Sequence, residues 1–398
     1  MKPLLIVLAL ALAVWAPAGI GAQTIDRAEV LPWIRLTLQG EELVRSGRYR
    51  EALECFKKAE LAEPGSTRIF MNTAVAWNFI WEQARTPGDR SEARANYLAA
   101  LRRVLALDPL HADARYLMDR HLGIVSVIVP FIHKETGQFL KAAQAALVAG
   151  DTANAMQIFE RALALERHPD ILKGAGMTAL QQGEIGTARA FLLESLKLNP
   201  VQHDTCMALG DLAEREKHFP EARDWYIRSL AGYPHHVAAM DRIAGITRAM
   251  GRPVRFLNLA DPVPEADREV APDNLVRIRE LSEERKVNVF ELQCRLVYHA
   301  AVREARAAYA KTFPGVPFVL TAEIETACVA AMVHHYRVHR EAMGVTMAQF
   351  DTLIGLDAEG LLPAAVFFYR WRDEFAPEFI AYRDQHFDAF VKMLDLHL

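Results

Sequence analysis

Catalysis or metal binding needs nucleophiles, acids or ligating side chains at fixed spacing, and one stretch has that pattern: "ETACVAAMVHHYRVHR", Glu325 to Arg340. On a helix, Cys328, Met332, His335 and His339 recur at spacings of four, three and four and share one face, with Glu325 extending the stripe. Two neutral imidazoles one turn apart can chelate a metal ion, so His335 and His339 are the candidate metal ligands. His299 joins them only if its own helix packs alongside. No Glu follows His335 as H-E-x-x-H requires, so the zinc-protease general base is missing. The competing reading makes Cys328 and Met332 core residues and the histidines hydrogen-bonded or partly exposed. Trp77 and Trp81, one turn apart, and the cluster Phe367, Phe368, Tyr369 and Trp371 have the spacing of packed helix faces. Phosphate loops, dinucleotide fingerprints and G-x-S-x-G elbows are absent. No catalytic residue and no cofactor is therefore assigned. An enzyme with its site in the C-terminal helical part, metal-dependent or otherwise, is the alternative to a binding protein.

These residues sit in a region whose patterning is helical. After Arg252, Pro253, Pro262, Pro264 and Pro272 interrupt periodicity, which marks 252–271 as a proline-rich linker. Five helices are predicted beyond it, at 273–286, 288–312, 320–343, 346–356 and 363–397, the last broken near Pro377. Asn288 with Glu291, and Thr346 with Gln349, have the spacing of N-terminal capping pairs. No segment alternates as a strand does.

Upstream the sequence repeats itself. Segments beginning at Thr136, Pro169, His203 and Val237 are spaced 33, 34 and 34 residues apart. Ala143, Gly176 and Gly210 place small residues in the first helix of each unit. Gly150 and Gly183 end that helix, with Lys217 in the equivalent place. Thr152, Ile185 and Phe219 open the second helix. Ala155, Ala188 and Ala222 are small; Phe159, Leu192 and Tyr226 are large; Pro200 and Pro234 close two units. An earlier copy runs from Trp33 to Ser66 with Gly40, Gly47, Tyr49, Ala52, Phe56, Ala59 and Pro64 in order. A weaker one covers about Phe70 to Pro109, with an insertion near Thr86-Pro87-Gly88-Asp89. The apolar run Leu122 to Ile132 departs from the pattern and reads as a degenerate repeat or crossover, or else as a patch for a partner or a membrane surface.

This pattern resembles the tetratricopeptide repeat (TPR) family over roughly residues 33–251. The resemblance implies an all-α fold: a right-handed α-solenoid of helix pairs over 23–251, followed by an all-helical C-terminal domain at 272–398. A helix pair of this size cannot bury its apolar face alone, so the units must stack. The resemblance also implies that each unit's first helix lines a groove. Gln144, Lys173, Met177, Gln181, Asp211, Arg215, Asp241 and Arg248 would face it and bind a protein or peptide partner. The family's clamp for C-terminal carboxylates pairs Asn with Lys; Lys173 has no matching Asn here.

Composition bounds the rest. Hydrophobic residues make up 52% and charged residues 24% of 398, which is ample for a core. A net charge of -4 without a basic run argues against nucleic acid as the partner. Lys2, the apolar run Leu4 to Trp15, the breakers Pro17 and Gly19, and Gly21-Ala22 read as a signal peptide over 1–22, cut before Gln23. No Cys follows the cut, so a lipid anchor is not expected, nor a membrane span after signal removal. The expected location is periplasmic or secreted, with a role as a scaffold or adaptor in envelope assembly or secretion. Of Cys55, Cys206, Cys294 and Cys328, only the last two fall on consecutive predicted helices; they either pair or stay as buried thiols.

Overall fold

The computed structural model describes residues 31–398 except 110, 126–128, 252–256 and 258–260. The expected signal peptide lies outside the described residues, as do parts of the apolar run and of the proline-rich linker. Among the described residues there are eighteen α-helices, two short 3-10 turns and no strand. None of these helices is long and apolar enough to cross a membrane. The chain is an all-α solenoid.

Two compact units are formed, one from residues up to 121 with 130–184, the other from 122–129 with 185–398. The first contains α1 (Pro32–Arg45), α2 (Tyr49–Ala62), α3 (Thr67–Gln83), α4 (Pro87–Leu107), α5 (Ala112–His121), α6 (Lys134–Val148), α7 (Thr152–Leu165) and α8 (Pro169–Gln182). The second contains α9 (Ile185–Leu198), α10 (His203–Arg215), α11 (Phe219–Gly232) and α12 (Val237–Ala249). It continues with α13 (Leu275–Arg285), α14 (Val289–Thr312), α15 (Ala322–Met343), α16 (Ala348–Ala358), α17 (Leu362–Tyr369) and α18 (Ala376–His397).

The helix pairs form where the periodicity places them, and for the same reasons. Gly150 and Gly183 carry φ of 79° and 83°, a left-handed turn that costs glycine nothing. Lys217 takes the same turn at φ 63°. Within pairs, a missing side chain admits a ring: a Cβ on Gly40 would fall 2.3 Å from Phe56, and one on Gly210 would fall 2.5 Å from Tyr226. Phe159 is met instead by Gly174 of the following helix, where a Cβ would lie 2.5 Å away. All three rings are fully buried. In the first unit, Glu166 closes the N-terminus of α6: its carboxylate accepts from the backbone N–H of Ile132 at 2.9 Å and of His133 at 3.1 Å. Burial pushes this carboxyl up, but the two N–H groups, with Thr136 and His168, outweigh that and hold it below the ordinary range.

In the second unit the C-terminal helices return to the repeats. α18 packs along α11. The buried Arg383 donates from Nη1 to the carbonyls of Ile124 at 2.8 Å and Gly232 at 3.2 Å. Arg223 on α11 pairs with Asp395 near the end of α18.

The break expected near Pro377 within 363–397 separates α17 from α18, whereas the expected Thr346 cap needs correcting. Arg370 leaves helical geometry to pair with Glu325 at 2.7 Å, and Pro377 then sits in the first turn of α18, where its missing N–H is no loss. Thr346 does not cap the following helix with Gln349. That helix starts at Ala348; Met347 precedes it and donates its N–H to Tyr336 Oη at 2.9 Å, while Gln349 donates to Glu291 at 2.8 Å. Tertiary partners win there, whereas Asn288 does cap α14, accepting from the N–H of Phe290 and Glu291.

Candidate functional site

The residue that follows the small residue of a first helix occupies one equivalent position in the repeats: Glu41, Gln144, Met177 and Asp211. Its neighbours decide what it can do. Glu41 on α1 accepts two bonds from the Arg68 guanidinium, at 2.9 and 3.0 Å, and a third from Asn72 at 2.8 Å; both donors lie on α3. In the second unit, Asp211 and Glu214 on α10 receive the Tyr226 hydroxyl at 2.8 and 2.7 Å. Arg242 on α12 lies 3.7 Å from Asp211 and 3.2 Å from Glu214. Burial, then these two carboxylates, push the Tyr226 hydroxyl far above its ordinary pKa, so it stays a donor. Bidentate and paired contacts of this kind lock adjacent first helices in register. They also consume the charges.

Gln144 and Met177 hold the same position without such partners. Both are exposed, Met177 at 42%. One turn on, Gln181 is exposed, and its counterpart on α6, Val148, is 61% exposed. α6 and α8 pack side by side, so Gln144, Val148, Met177 and Gln181 form a patch of two amides and two apolar side chains. Val148 was missed in the sequence; its place one repeat before Gln181 was the available signal. Lys173 is drawn to Asp170 at 3.6 Å. Asp211 is committed as described. Arg215 lies one turn beyond it on α10 and is exposed; Asp241 and Arg248 are exposed on α12. Of the eight predicted residues, the first unit holds the uncharged Gln144, Met177 and Gln181 with Lys173 paired to Asp170, and the second holds the four charged residues Asp211, Arg215, Asp241 and Arg248.

The histidine pair is in place but incomplete as a ligand set. The rings of His335 and His339 lie 4.3 Å apart, and His339 Nδ1 is 2.9 Å from the backbone oxygen of His335. Among the described residues no three His, Cys, Asp or Glu side chains are grouped as a metal site would need. His299 is elsewhere engaged, 2.7 Å from Asp261. Cys294 and Cys328 are free and buried, as are Cys55 and Cys206. Burial pushes the Cys294 thiol to about 12 and the Cys328 thiol to about 11, which removes thiolate reactivity. Glu325, fully buried, accepts from Tyr298 Oη at 2.7 Å and from Arg370, whose guanidinium lies over the Tyr298 ring. Asp261, Arg295, Tyr298, Val329, Met332 and Arg370 line a cavity with room for about one water molecule.

A tetratricopeptide repeat family model matches residues 37–78, 140–203 and 174–237. Residues 37–78 and 140–237 are similar to tetratricopeptide repeats. Tetratricopeptide repeat protein 7B of Homo sapiens is 37% identical over 70 residues, which is 18% of this chain. The match spans only 8% of that relative's length. Among solved structures, PilW, described as a widely conserved type IV pilus biogenesis factor, is 15% identical, covering 55% of this chain and 86% of its own, with a TM-score of 0.26. YrrB, described as a TPR protein with an unusual peptide-binding site, is 13% identical, covering 52% of this chain and 90% of its own, with a TM-score of 0.25. Over residues 37–78 and 140–237 the chain has the helix-pair fold of tetratricopeptide repeats.

Proposed function

We propose that this protein is a non-enzymatic adaptor that holds an extended peptide or a helix of a protein partner against the first-helix face of its repeats, outside the cytoplasm. The observation that carries this reading is the contrast along one repeat position. Glu41 and Asp211 are consumed by neighbouring helices, whereas Gln144 and Met177, with Val148 and Gln181, are exposed and have no polar partner among the described residues. A patch of two apolar and two amide side chains suits a segment that offers apolar side chains and backbone hydrogen-bonding groups. Lys173, Arg215, Asp241 and Arg248 would add charged contacts, and Asp211 would act by fixing the helices. The positive start, apolar run and small-residue close of residues 1–22 support export, with a role in envelope assembly or secretion.

The test is a peptide library displayed against the full-length protein, with the enriched peptides measured by titration. Val148→Asp with Met177→Asp should weaken the selected peptides at least about tenfold, or about 1.4 kcal/mol, with helical circular dichroism unchanged. Equal affinity in the double variant would sink the reading. Intact mass of the purified protein checks export: a mature chain starting at Gln23 is expected.

A further inference from the structure

The repeat formed by α3 and α4 differs from the others. α4 has 21 residues, against 13–15 in each of α6 through α12, because the Pro87-Gly88-Asp89 insertion becomes its first turn. The Thr86 hydroxyl caps that turn by accepting from the Asp89 N–H at 3.1 Å. The added length carries Arg94 to the end of α5, where its Nε donates to His121 Nε2 at 2.6 Å. His121 lies against the Trp81 and Tyr97 rings, 5.6 and 6.0 Å between centroids. Burial, then Arg94 and Arg102, push the His121 ring below its ordinary pKa, so it stays a neutral acceptor that orients Arg94 without cancelling its charge. Arg120 adjoins His121 and lies near Tyr97. Arg94, Arg102 and Arg120 are all exposed. Among the described residues none of the three is paired with a carboxylate.

We propose that Arg94, Arg102 and Arg120, gathered around His121, form a docking surface for an acidic segment of a protein partner. Three exposed guanidiniums on α4 and at the end of α5, none paired with a carboxylate among the described residues, leave a positive face that carboxylates on a bound segment can meet through bidentate bonds. An anionic membrane is the less fitting occupant: among the described residues the single exposed large apolar side chain on α4 or α5 is Leu107 at the far end of α4, too little to anchor in a bilayer. The surface uses α4 and α5 alone, so it stands apart from the Gln144–Met177 patch and does not rest on it.

Binding of fluorescein-labelled hexaglutamate to the full-length protein, read by anisotropy at low and moderate salt, tests this. Saturable binding that weakens with salt is expected, with at least about a tenfold loss in the triple variant Arg94→Gln, Arg102→Gln, Arg120→Gln. Melting temperature and circular dichroism verify that the variant is folded, and single Arg→Lys variants, which keep the charge, should retain most of the binding. The Val148→Asp, Met177→Asp variant should bind hexaglutamate as the wild type does. Equal binding by wild type and triple variant would overturn the proposal. So would loss of hexaglutamate binding in the groove variant, or arginine-dependent pelleting with phosphatidylserine vesicles in a protein that ignores the peptide.

Discussion

Between α10 and α11 two helices meet because a side chain has been left out, while among α14, α15 and α17 they meet around buried charge. Gly210 gives its space to the Tyr226 ring, as Gly40 does to Phe56. In the C-terminal helices, Glu325, Tyr298 and Arg370 form a pair and a hydrogen bond inside the core, with Arg295 almost wholly buried beside them. The first device is local and repeats with the sequence period. The second joins residues 27 and 45 positions apart and follows no repeat. A stack of pairs can therefore vary at its surface while the joints stay the same; the C-terminal helices depend on a few particular partners.

Removing a partner in the charged region should have the larger effect. Glu325→Ala strands Arg370 in the core and is expected to cost about 3–5 kcal/mol in urea unfolding. A loss below about 1 kcal/mol would show that the pair is dispensable. Acid should come next. Burial, then His203, push His236 down to about 4. Because the folded pKa lies below that of the unfolded chain, the neutral ring stabilises fully above about pH 6.5. That contribution is lost as pH falls from 6.5 towards 4, on the order of 3 kcal/mol in all. A His236→Gln protein should melt with a flatter pH profile across that window, and an unchanged slope would contradict the assignment.

Glycine joints should be less costly. Gly210→Ala puts a methyl 2.5 Å from the Tyr226 ring and should lose about 1–3 kcal/mol by calorimetry, since the fully buried ring has little room to retreat. An unchanged melting temperature would mean that the joint is looser than its geometry. The smallest effect has the opposite sign. Lys217 adopts φ 63° where its counterparts are Gly150 and Gly183, so Lys217→Gly should stabilise by about 0.5–1 kcal/mol. Destabilisation would reveal a role for the lysine itself.

The same contrast explains what could be read in advance. Repeat boundaries, the glycine turns and the Asn288 cap follow from neighbouring residues, so the sequence displays them directly. The Thr346 cap failed because Tyr336 and Glu291, distant in sequence, claim the groups it needed. The split between α17 and α18 was legible through Pro377, whereas the contact of Arg370 with Glu325 beside it was not. On the first-helix face, the period displays that Gln144, Met177 and Asp211 share one repeat position. It does not display their states: whether a carboxylate is open depends on the next helix, as Arg242 shows for Asp211.

Arg383 reaches backbone 151 residues earlier at Gly232 and 259 residues earlier at Ile124. A ribosome delivers those carbonyls long before the arginine that grips them. The second unit must therefore wait, part-built, until its final helix arrives to clasp it, and a chain cut short by a few turns would forfeit far more than the residues removed.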